Sequence, residues 1–404
     1  MKRLITKALK LFLKLLHFGF IVSLVILVRL LKPIVLIRFG PIRSDVIGHY
    51  VFDPEYYLCE REIENRKTID FFYFEFSIPP NEQWTLMLRR HLRIGSMFRR
   101  FDEVNRIIPG WRKHFVRLIP KELKSRDLNG LLSRTELHIR FTSNENIRGK
   151  DFLNKLGLKP EDQFVCLIVR DSAYKEKWQQ GGHYGNRDWS YHNYRDSDID
   201  TYKEAAEALA EKGYWVFRMG KKVHKEFEAD HTRIVDYANS RYRSDFLDIW
   251  LMANCFFCIS TGTGLDEVSR VFRRPAVYVN DLPLQQLVTY DHVISSPKHL
   301  FWENTNTRLT LFEHLDNSYF RTKNYESANI KIVDLTPEEI REAVLEMELK
   351  LSGKWQDSFE DRRLQDRFWK LFKSHNDFRK YHGIIHPGAK VGAHFLRNNP
   401  EWLN

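Results

Sequence analysis

The second half of the chain alternates short apolar runs with amphipathic segments. The apolar runs are rich in β-branched and aromatic residues, as expected of buried parallel strands, and short polar or glycine-containing connections follow them. The predicted strands are FVCLIV (164–169), YWVFRM (214–219), RIVDY (233–237), FFCIS (256–260) and PAVYVN (275–280). The predicted helices begin at a Thr201-x-x-Glu204 capping box, at Ser244 and at Leu265. This alternation predicts βαβ units on one parallel sheet.

The first 32 residues follow a different pattern. An uncharged apolar run, Leu15–Val28, follows a segment that carries Lys2, Arg3, Lys7, Lys10 and Lys14. As a helix this run is about 21 Å long, which is short for a bilayer core that needs roughly 20 apolar residues. Because the lysines and the apolar residues fall on different faces, we predict a basic amphipathic helix in the interface of an anionic membrane. A tilted membrane span and a buried core helix remain as alternatives.

The length of the chain, 404 residues, favours two domains. A β-branched apolar run at Ile34–Ile37 predicts the first strand after the amino-terminal segment. The predicted organisation is a membrane anchor at 1–32, an amino-terminal α/β domain at 33–150, a Rossmann-like domain at 151–335 and carboxyl-terminal helices with a tail at 336–404.

The net charge of +11 is concentrated in the segment from Trp84 to Lys150. A basic face of this kind suits anionic lipid or phosphorylated ligands, or is a set of solvated helix faces. No RNA- or DNA-binding signature accompanies it, so a nucleic-acid partner is disfavoured. The Cys255-x-x-Cys258 spacing falls in a predicted strand without a second pair of ligands, which disfavours a redox or zinc site and indicates a reducing compartment.

The motif Ser260-Thr261-Gly262-Thr263-Gly264 lies between a predicted strand and a predicted helix. In an open α/β sheet, ligands bind beyond the carboxyl ends of the strands, where backbone N–H groups favour an anion. A tight turn without a ligand is the alternative. Charged residues at neighbouring strand ends favour a diphosphate site, because arginine matches phosphate oxygens. The predicted donor-binding residues are Arg170, Asp171, Arg218, Gly220, Ser260, Thr261, Gly262, Thr263, Gly264 and Glu267.

The loop from Gly181 to Asp200 is rich in rings. Rings beside a crevice stack on sugars and bases, or form a hydrophobic lid without a specific ligand. The candidate stacking residues are Trp189, Tyr191, His192 and Tyr194. Asp196 and Asp198 resemble a manganese-binding D-x-D, but acidic residues before a helix are favoured electrostatically, so we predict helix-start residues and no metal.

In the first domain, Asp45 and His49 follow the first predicted strand. They are the candidates for a catalytic base, with a structural histidine as the alternative.

Four stretches together resemble a family of bacterial glycosyltransferases associated with surface polysaccharides, such as capsule and O-antigen. They are IRSDVIGHYVFDPEYYL, VCLIVRDSAY with HNYRDSDIDTYKEAAEALAEKGYWVFRMGK, DYANSRYRSDFLDIWLMANCFFCISTGTGL and FLRNNPEWLN. The resemblance covers most of the chain from about Pro33, and the basic middle is its least similar part. It implies two Rossmann-like domains in a GT-B-like α/β fold, a nucleotide-sugar donor on the carboxyl-terminal domain and no essential metal or other cofactor.

The expected function is transfer of a sugar from a nucleotide-sugar donor to a lipid-linked or polysaccharide acceptor. The expected location is the cytoplasmic face of the bacterial inner membrane, on an anionic membrane surface. The alternatives are a pyruvyl or phosphoryl transferase of the same pathway and a non-catalytic carbohydrate-binding scaffold. The sequence does not specify the sugar, the acceptor or the stereochemistry.

Overall fold

The structure is a computed structural model, which describes residues 2–65, 67–76, 78–173 and 190–404, with side chains at residues 6 and 10 and from 12 onward. The chain divides into two compact units. Unit 1 comprises residues 1–126 and 135–140, and unit 2 comprises residues 127–134 and 141–404.

Unit 1 contains a small parallel sheet with helices. Its strands are β1 (Leu36–Ile42), β2 (Thr68–Phe74) and β3 (Arg93–Ile94), and its helices are α1 (Lys2–Leu30), α2 (Ile47–Glu64), α3 (Glu82–His91) and α4 (Met97–Ile107). The strand order is β1-β2-β3, and a parallel bridge joins Phe115 to Phe39 on the other edge of β1. The carboxyl end of β1 therefore lies where the strand order reverses.

The apolar core of unit 1 includes part of the amino-terminal helix. Ile21 and Val25 of α1 are buried against Phe39, Phe101 and Val104. The Phe39 ring stacks on the ring of Phe101 at 5.6 Å between centroids. One face of the carboxyl-terminal half of α1 thus packs within unit 1, although the predicted interfacial helix had the whole segment on a membrane.

Unit 2 is built on a seven-stranded parallel sheet. Its strands are β4 (Phe164–Ile168), β5 (Trp215–Arg218), β6 (Ile234–Val235), β7 (Cys258–Ser260), β8 (Ala276–Asp281), β9 (Val293–Pro297) and β12 (Ala389–Val391), with β10 (His299–Trp302) and β11 (Ile330–Val333) forming a separate antiparallel pair. Its helices are α5 (Leu131–Arg134), α6 (Ser143–Lys155), α7 (Lys203–Glu211), α8 (Asp245–Asn254), α9 (Asp266–Val271), α10 (Leu311–Asp316), α11 (Thr322–Ser327), α12 (Pro337–Leu351), α13 (Phe359–Ser374), α14 (Phe378–Tyr381) and α15 (Ala393–Asn398).

The strand order in this sheet is β12-β9-β8-β7-β4-β5-β6. The chain runs outward from β4 through β5 to β6, returns to the other side of β4 at β7, and then continues outward. This order is that of doubly wound nucleotide-binding sheets, with one added strand at the β9 edge. The prediction of an α/β fold with a parallel sheet is confirmed. The second Rossmann-like domain, expected at 33–150, stays a prediction, since the described strands of unit 1 form only a small sheet.

Local signals explain where several helices begin. Ser244 accepts a hydrogen bond from the N–H of Leu247 and caps α8, as predicted. The Thr201–Glu204 capping box does not form. Instead, a 3₁₀ turn at Ile199–Tyr202 precedes α7, Asp198 accepts from the N–H of Asp200, and the Thr201 hydroxyl donates to the Asp198 carbonyl. In this turn the N–H of Thr201, which the box would have capped, donates to the Asp198 carbonyl instead.

The carboxyl-terminal residues complete unit 2. Helices α12 and α13 begin at capping boxes formed by Thr336 with Glu339 and by Ser358 with Asp361. Their buried faces join the main apolar core through residues such as Met347 and Phe368. The tail adds the edge strand β12 to the sheet.

Candidate nucleotide-binding site

The carboxyl ends of β4 and β7 meet at the point where the strand order of the unit 2 sheet reverses. These two strands pair directly, with Ile168 opposite Ser260. Just beyond them, the N–H of Arg170 donates to the Thr261 hydroxyl at 2.9 Å. In open α/β sheets this reversal opens the crevice in which ligands bind. The structure thus brings Arg170 and the 260–264 loop together, as the sequence predicted.

The 260–264 loop is closed on itself by hydrogen bonds. The N–H of Gly262 donates to the Ser260 hydroxyl, and the N–H of Thr263 donates to the carboxylate of Asp266 at 2.8 Å. The Ser260 hydroxyl also donates to Asp266 at 2.6 Å. Burial raises the pKa of Asp266. Two of the N–H groups that we expected to bind an anion are therefore already satisfied.

Glycine is required in this loop at Gly262. Its φ is +72°, and a Cβ atom built there would lie 2.5 Å from Oδ1 of Asp281. Gly264 does not have a positive φ. Within the described part of the chain, the N–H groups of Gly264 and Leu265 have no acceptor, and the buried Oγ1 of Thr263 has no partner. These groups leave the far side of the loop able to donate to a ligand.

Two guanidinium groups face this loop. Arg170 donates from Nε to Asp196 at 3.0 Å, and Arg195 donates from Nη2 to the carbonyl of Gly262. Burial and the neighbouring charge of Arg195 lower the pKa of Arg170. Among the described residues, no acceptor contacts Nη1 or Nη2 of Arg170, or Nε or Nη1 of Arg195. Two mutually repelling cations with unused donors form a site that an anion would stabilise.

A buried network supports these groups from the β9 side. Lys298, which follows β9, donates to the carbonyl of Asp196 and to the carboxylate of Asp334, each at 2.6 Å. Burial lowers the pKa of Lys298 and raises that of Asp196. The Ser197 hydroxyl donates to Asp334 at 2.8 Å. The network fixes the backbone on either side of Asp196 and so orients Arg170.

Other predicted donor-binding residues have internal roles. Asp171 accepts from the N–H groups of Ala173 and His224 and ties two strand-end loops together. The buried guanidinium of Arg218 donates to Asp236 and to the carbonyl of Lys225, each at 3.0 Å. These contacts supply no phosphate ligand, and binding by either residue stays a prediction.

Gly220 and Glu267 are also engaged within the protein. A Cβ at Gly220 would lie 2.7 Å from Cγ1 of Val223, so the turn after β5 requires a glycine. Both carboxylate oxygens of Glu267 accept from Nη1 of the buried Arg270 at 2.8 Å.

The candidate stacking rings divide into three groups. Trp189 lies outside the described residues. Tyr191 and His192 are half-buried, and their rings lie 3.9 Å apart between centroids. Tyr194 is buried in a small apolar cluster and packs on the ring of Tyr325 at 5.4 Å. Tyr194 therefore contributes to the core through its ring, and stacking of a ligand on Tyr191 and His192 stays a prediction.

The two aspartates of the D-x-D sequence have separate partners. Asp196 pairs with Arg170, whereas Asp198 accepts from the N–H of Asp200 and pairs with Lys225 at 3.1 Å. These contacts support the interpretation of Asp198 as a helix-start residue, and metal-independent donor binding stays a prediction.

We expect Asp198→Asn to leave the affinity for nucleoside diphosphate within about twofold of wild type, because Asp198 acts on the helix start. Manganese added to metal-free buffer should not tighten binding in either protein. Calorimetric titration with and without manganese measures both effects. Manganese-dependent binding that disappears in Asp198→Asn, but not in a Glu207→Gln control, would establish the D-x-D metal site instead.

In unit 1, His49 lies in the first turn of α2, beyond the carboxyl end of β1. Its Nδ1 lies 2.7 Å from the Ser125 hydroxyl and 3.7 Å from the carboxylate of Asp53, one helical turn away. Asp45 instead pairs with Arg43 at 2.8 Å. An imidazole held through Nδ1 leaves Nε2 to accept a proton. The geometry therefore favours His49 over Asp45 as the candidate base.

Several residues of these sites were missed by the sequence analysis, among them Arg195, Asp266 and Asp53. Arg195 was unremarkable within a polar loop, and no local spacing relates it to Gly262. Asp266 is indistinguishable in sequence from an ordinary acidic residue in the first turn of a helix. Asp53 had a usable signal, because His49 and Asp53 stand four residues apart and share one helix face.

No protein-family model and no curated protein matches the chain. Among solved structures, it is similar to the glycosyl transferase family 9 protein from Veillonella parvula DSM 2008, at 12% identity over 65% of this chain and 86% of that chain, with a TM-score of 0.42. It is also similar to E. coli ADP-heptose lps heptosyltransferase II, at 12% identity over 60% of this chain and 85% of that chain, with a TM-score of 0.33. E. coli heptosyltransferase WaaC with ADP-2-deoxy-2-fluoro heptose gives 10% identity over 61% of this chain and 90% of that chain, with a TM-score of 0.29. Likeness at this level assigns no activity to the chain.

Proposed function

We propose that the protein is a glycosyltransferase that uses a nucleoside-diphosphate sugar as donor and acts in bacterial surface carbohydrate synthesis. The observation that carries the proposal is the pair of arginines, Arg170 and Arg195, at the carboxyl ends of β4 and β7. Among the described residues, four of their guanidinium nitrogens have no hydrogen-bond acceptor. Such a pair at the strand-order reversal suits a diphosphate. The family resemblance of the sequence supports a sugar as the transferred group.

In this mechanism the two arginines act mainly on the leaving group. Negative charge grows on the nucleoside diphosphate as the bond from its distal phosphate to the sugar breaks. Guanidinium groups that are already fixed by Asp196 and Gly262 need little reorganisation to stabilise that charge. They therefore lower the barrier more than they tighten binding of the intact donor.

His49 is the proposed base that removes the proton from the acceptor hydroxyl. The proton would pass to Nε2, while Nδ1 is held by Ser125 and faces the carboxylate of Asp53. A carboxylate beside Nδ1 stabilises the imidazolium that forms. The sugar carbon forms its new bond to the acceptor oxygen as the bond to phosphate breaks.

The direct test is turnover of purified full-length protein in detergent with a panel of nucleotide sugars and a bacterial lipid extract as acceptor. We expect one donor to release nucleoside diphosphate, with its label appearing in a lipid or glycan product. Binding of glycans without turnover of any donor would favour the carbohydrate-binding scaffold. Turnover of phosphoenolpyruvate, with no nucleotide sugar used, would favour pyruvyl transfer.

Association with a membrane is the second part of the proposal. One helix, over Phe12–Leu30, is long and apolar enough by length and composition to cross a membrane, and 11% of that window is buried. The side chains of Leu15, Leu16 and Phe20 are more than half exposed, while Lys10 and Lys14 are exposed beside them. An exposed apolar surface with flanking lysines suits an anionic bilayer. At the proposed location, the cytoplasmic face of the inner membrane, the protein would meet a lipid-linked acceptor.

Truncation should separate the membrane-binding and packed parts of α1. Deleting residues 2–18 should move the protein to the soluble fraction and preserve its affinity for nucleoside diphosphate. Deleting residues 2–30 should also remove buried Ile21 and Val25, at a cost of about 3–6 kcal/mol, and the bonds from Arg29 to Pro109 and Asn105. Fractionation, thermal melting and calorimetry measure these effects. If the protein that lacks residues 2–18 stayed fully in the membrane fraction, the proposed anchor would be contradicted.

A further inference from the structure

A cluster of three different metal-ligating side chains lies in unit 1. Glu55 and Cys59 stand one helical turn apart on α2, and His138 comes from residues 135–140. Glu55 and Cys59 are fully buried, and the His138 side chain is 22% exposed. The metal sites considered from the sequence were the Cys255-x-x-Cys258 pair and the Asp196-x-Asp198 run, and no local spacing connects His138 to α2.

The distances within the cluster match one face of a tetrahedral metal site. Nδ1 of His138 lies 3.4 Å from Oε1 of Glu55, and Sγ of Cys59 lies 3.8 Å from each of those two atoms. Zinc bonds of about 2.0–2.3 Å at tetrahedral angles place such ligand atoms roughly 3.3–3.6 Å apart. An ion would therefore need shifts of only a few tenths of an ångström from each ligand atom.

The surroundings of the three groups hold them in ligating orientations. Nε2 of His138 pairs with the carboxylate of Glu62 at 2.9 Å, which directs Nδ1 toward Cys59 and Glu55. The carboxylate of Glu55 accepts from the N–H groups of His138 and Ile139, each at 3.1 Å. A carboxylate behind a ligating histidine is the usual outer support of zinc sites. The partial exposure of His138 gives an ion access to the cluster.

We propose that Glu55, Cys59 and His138 bind one zinc ion, which joins α2 to residues 135–140. The mixed set of thiolate, imidazole and carboxylate suits zinc better than the hard ions magnesium and calcium, which take oxygen ligands. Three protein ligands leave one tetrahedral position for a water molecule. Because the ion would link positions about 80 residues apart in the chain, its binding would stabilise the folded state. This site is independent of the proposed function.

The test is a zinc titration of full-length protein in detergent, after removal of metal by a chelator, in competition with a chromophoric zinc indicator. We expect one tight site per chain in the wild type and a higher melting temperature with zinc. Cys59→Ala and His138→Ala should abolish measurable one-to-one binding and the zinc-induced rise in melting temperature. Glu62→Gln should lower zinc affinity by roughly 10–100-fold. The matched control, Cys255→Ala, removes a buried thiol of unit 2 and should bind zinc as the wild type does.

Cobalt gives a second readout that identifies the thiolate. The wild type and Cys255→Ala should show thiolate-to-cobalt charge-transfer absorption, which Cys59→Ala should lack. Cys59 is fully buried, so Cys59→Ala is the variant that is more exposed to a folding defect. If it does not fold, zinc affinity is still tested by His138→Ala, because His138 is partly exposed. Absence of zinc binding to the folded wild type would overturn the proposal. Wild-type zinc affinity in folded Cys59→Ala or His138→Ala would overturn it as well.

Discussion

Arg195→Ala should weaken binding of nucleoside diphosphate by roughly 10- to 150-fold, the equivalent of 1.5–3 kcal/mol for hydrogen bonds to a charged group. The substitution removes guanidinium N–H groups that have no acceptor among the described residues and are therefore left for phosphate oxygens. It also removes the positive charge that repels Arg170. Transfer should fall further than binding, because the guanidinium acts most strongly on the departing diphosphate. Calorimetry measures the affinity, and kcat with saturating donor measures the transfer.

Two variants control for this result. Arg195→Lys should recover only part of the affinity, since an ammonium group lacks the planar fork that matches phosphate oxygens. Arg341→Ala removes a partly exposed arginine that pairs with Glu342 in unit 2 and should leave binding unchanged. Equal affinity in Arg195→Ala and Arg341→Ala would remove Arg195 from the site.

The second large effect is expected at His49. His49→Gln should lower kcat by roughly 10²–10⁴-fold, the usual contribution of general acid–base catalysis, with donor affinity unchanged. Glutamine keeps a polar group near Ser125 but cannot accept the proton. Asp53→Asn should have a smaller effect of the same kind, because Asp53 faces Nδ1 of His49 and contacts no reacting atom in this mechanism.

His91 provides the matched control, as an exposed histidine of unit 1 at the end of α3. His91→Gln should retain both kcat and donor affinity. Single-turnover rates, combined with calorimetry on the same folded variants, separate binding from chemistry. Normal transfer by His49→Gln, with loss in Asp45→Asn, would assign the base to Asp45, as the sequence analysis also allowed.

The sequence predicted strands β4 to β8 of the unit 2 sheet because they carry a strong and local signal, but it did not predict β9 or the edge strand β12 in the tail. Runs such as Phe164–Val169 are apolar throughout, as strands covered on both faces must be. The strand-end location of the 260–264 loop followed from the same pattern. Unit 1 was harder, since its apolar core draws on distant segments, including Ile21 and Val25 of the amino-terminal helix.

The contacts of the site depended on side chains that local spacing does not relate. Sequence reasoning assigned the loop N–H groups to an anion, whereas Ser260 and Asp266 already accept those of Gly262 and Thr263. It treated Arg170 and Arg218 as equivalent strand-end arginines. The structure separates them, because Arg218 is buried against Asp236, while two nitrogens of Arg170 contact no acceptor among the described residues.

A crystal structure of the full-length protein with a nucleoside diphosphate tests the central claim most directly. The account predicts density for the distal phosphate beyond the carboxyl ends of β4 and β7. Its oxygens should lie about 3 Å from the guanidinium groups of Arg170 and Arg195, with no metal ion between phosphate and protein. A nucleotide bound elsewhere, with both arginines keeping their present contacts, would contradict the account.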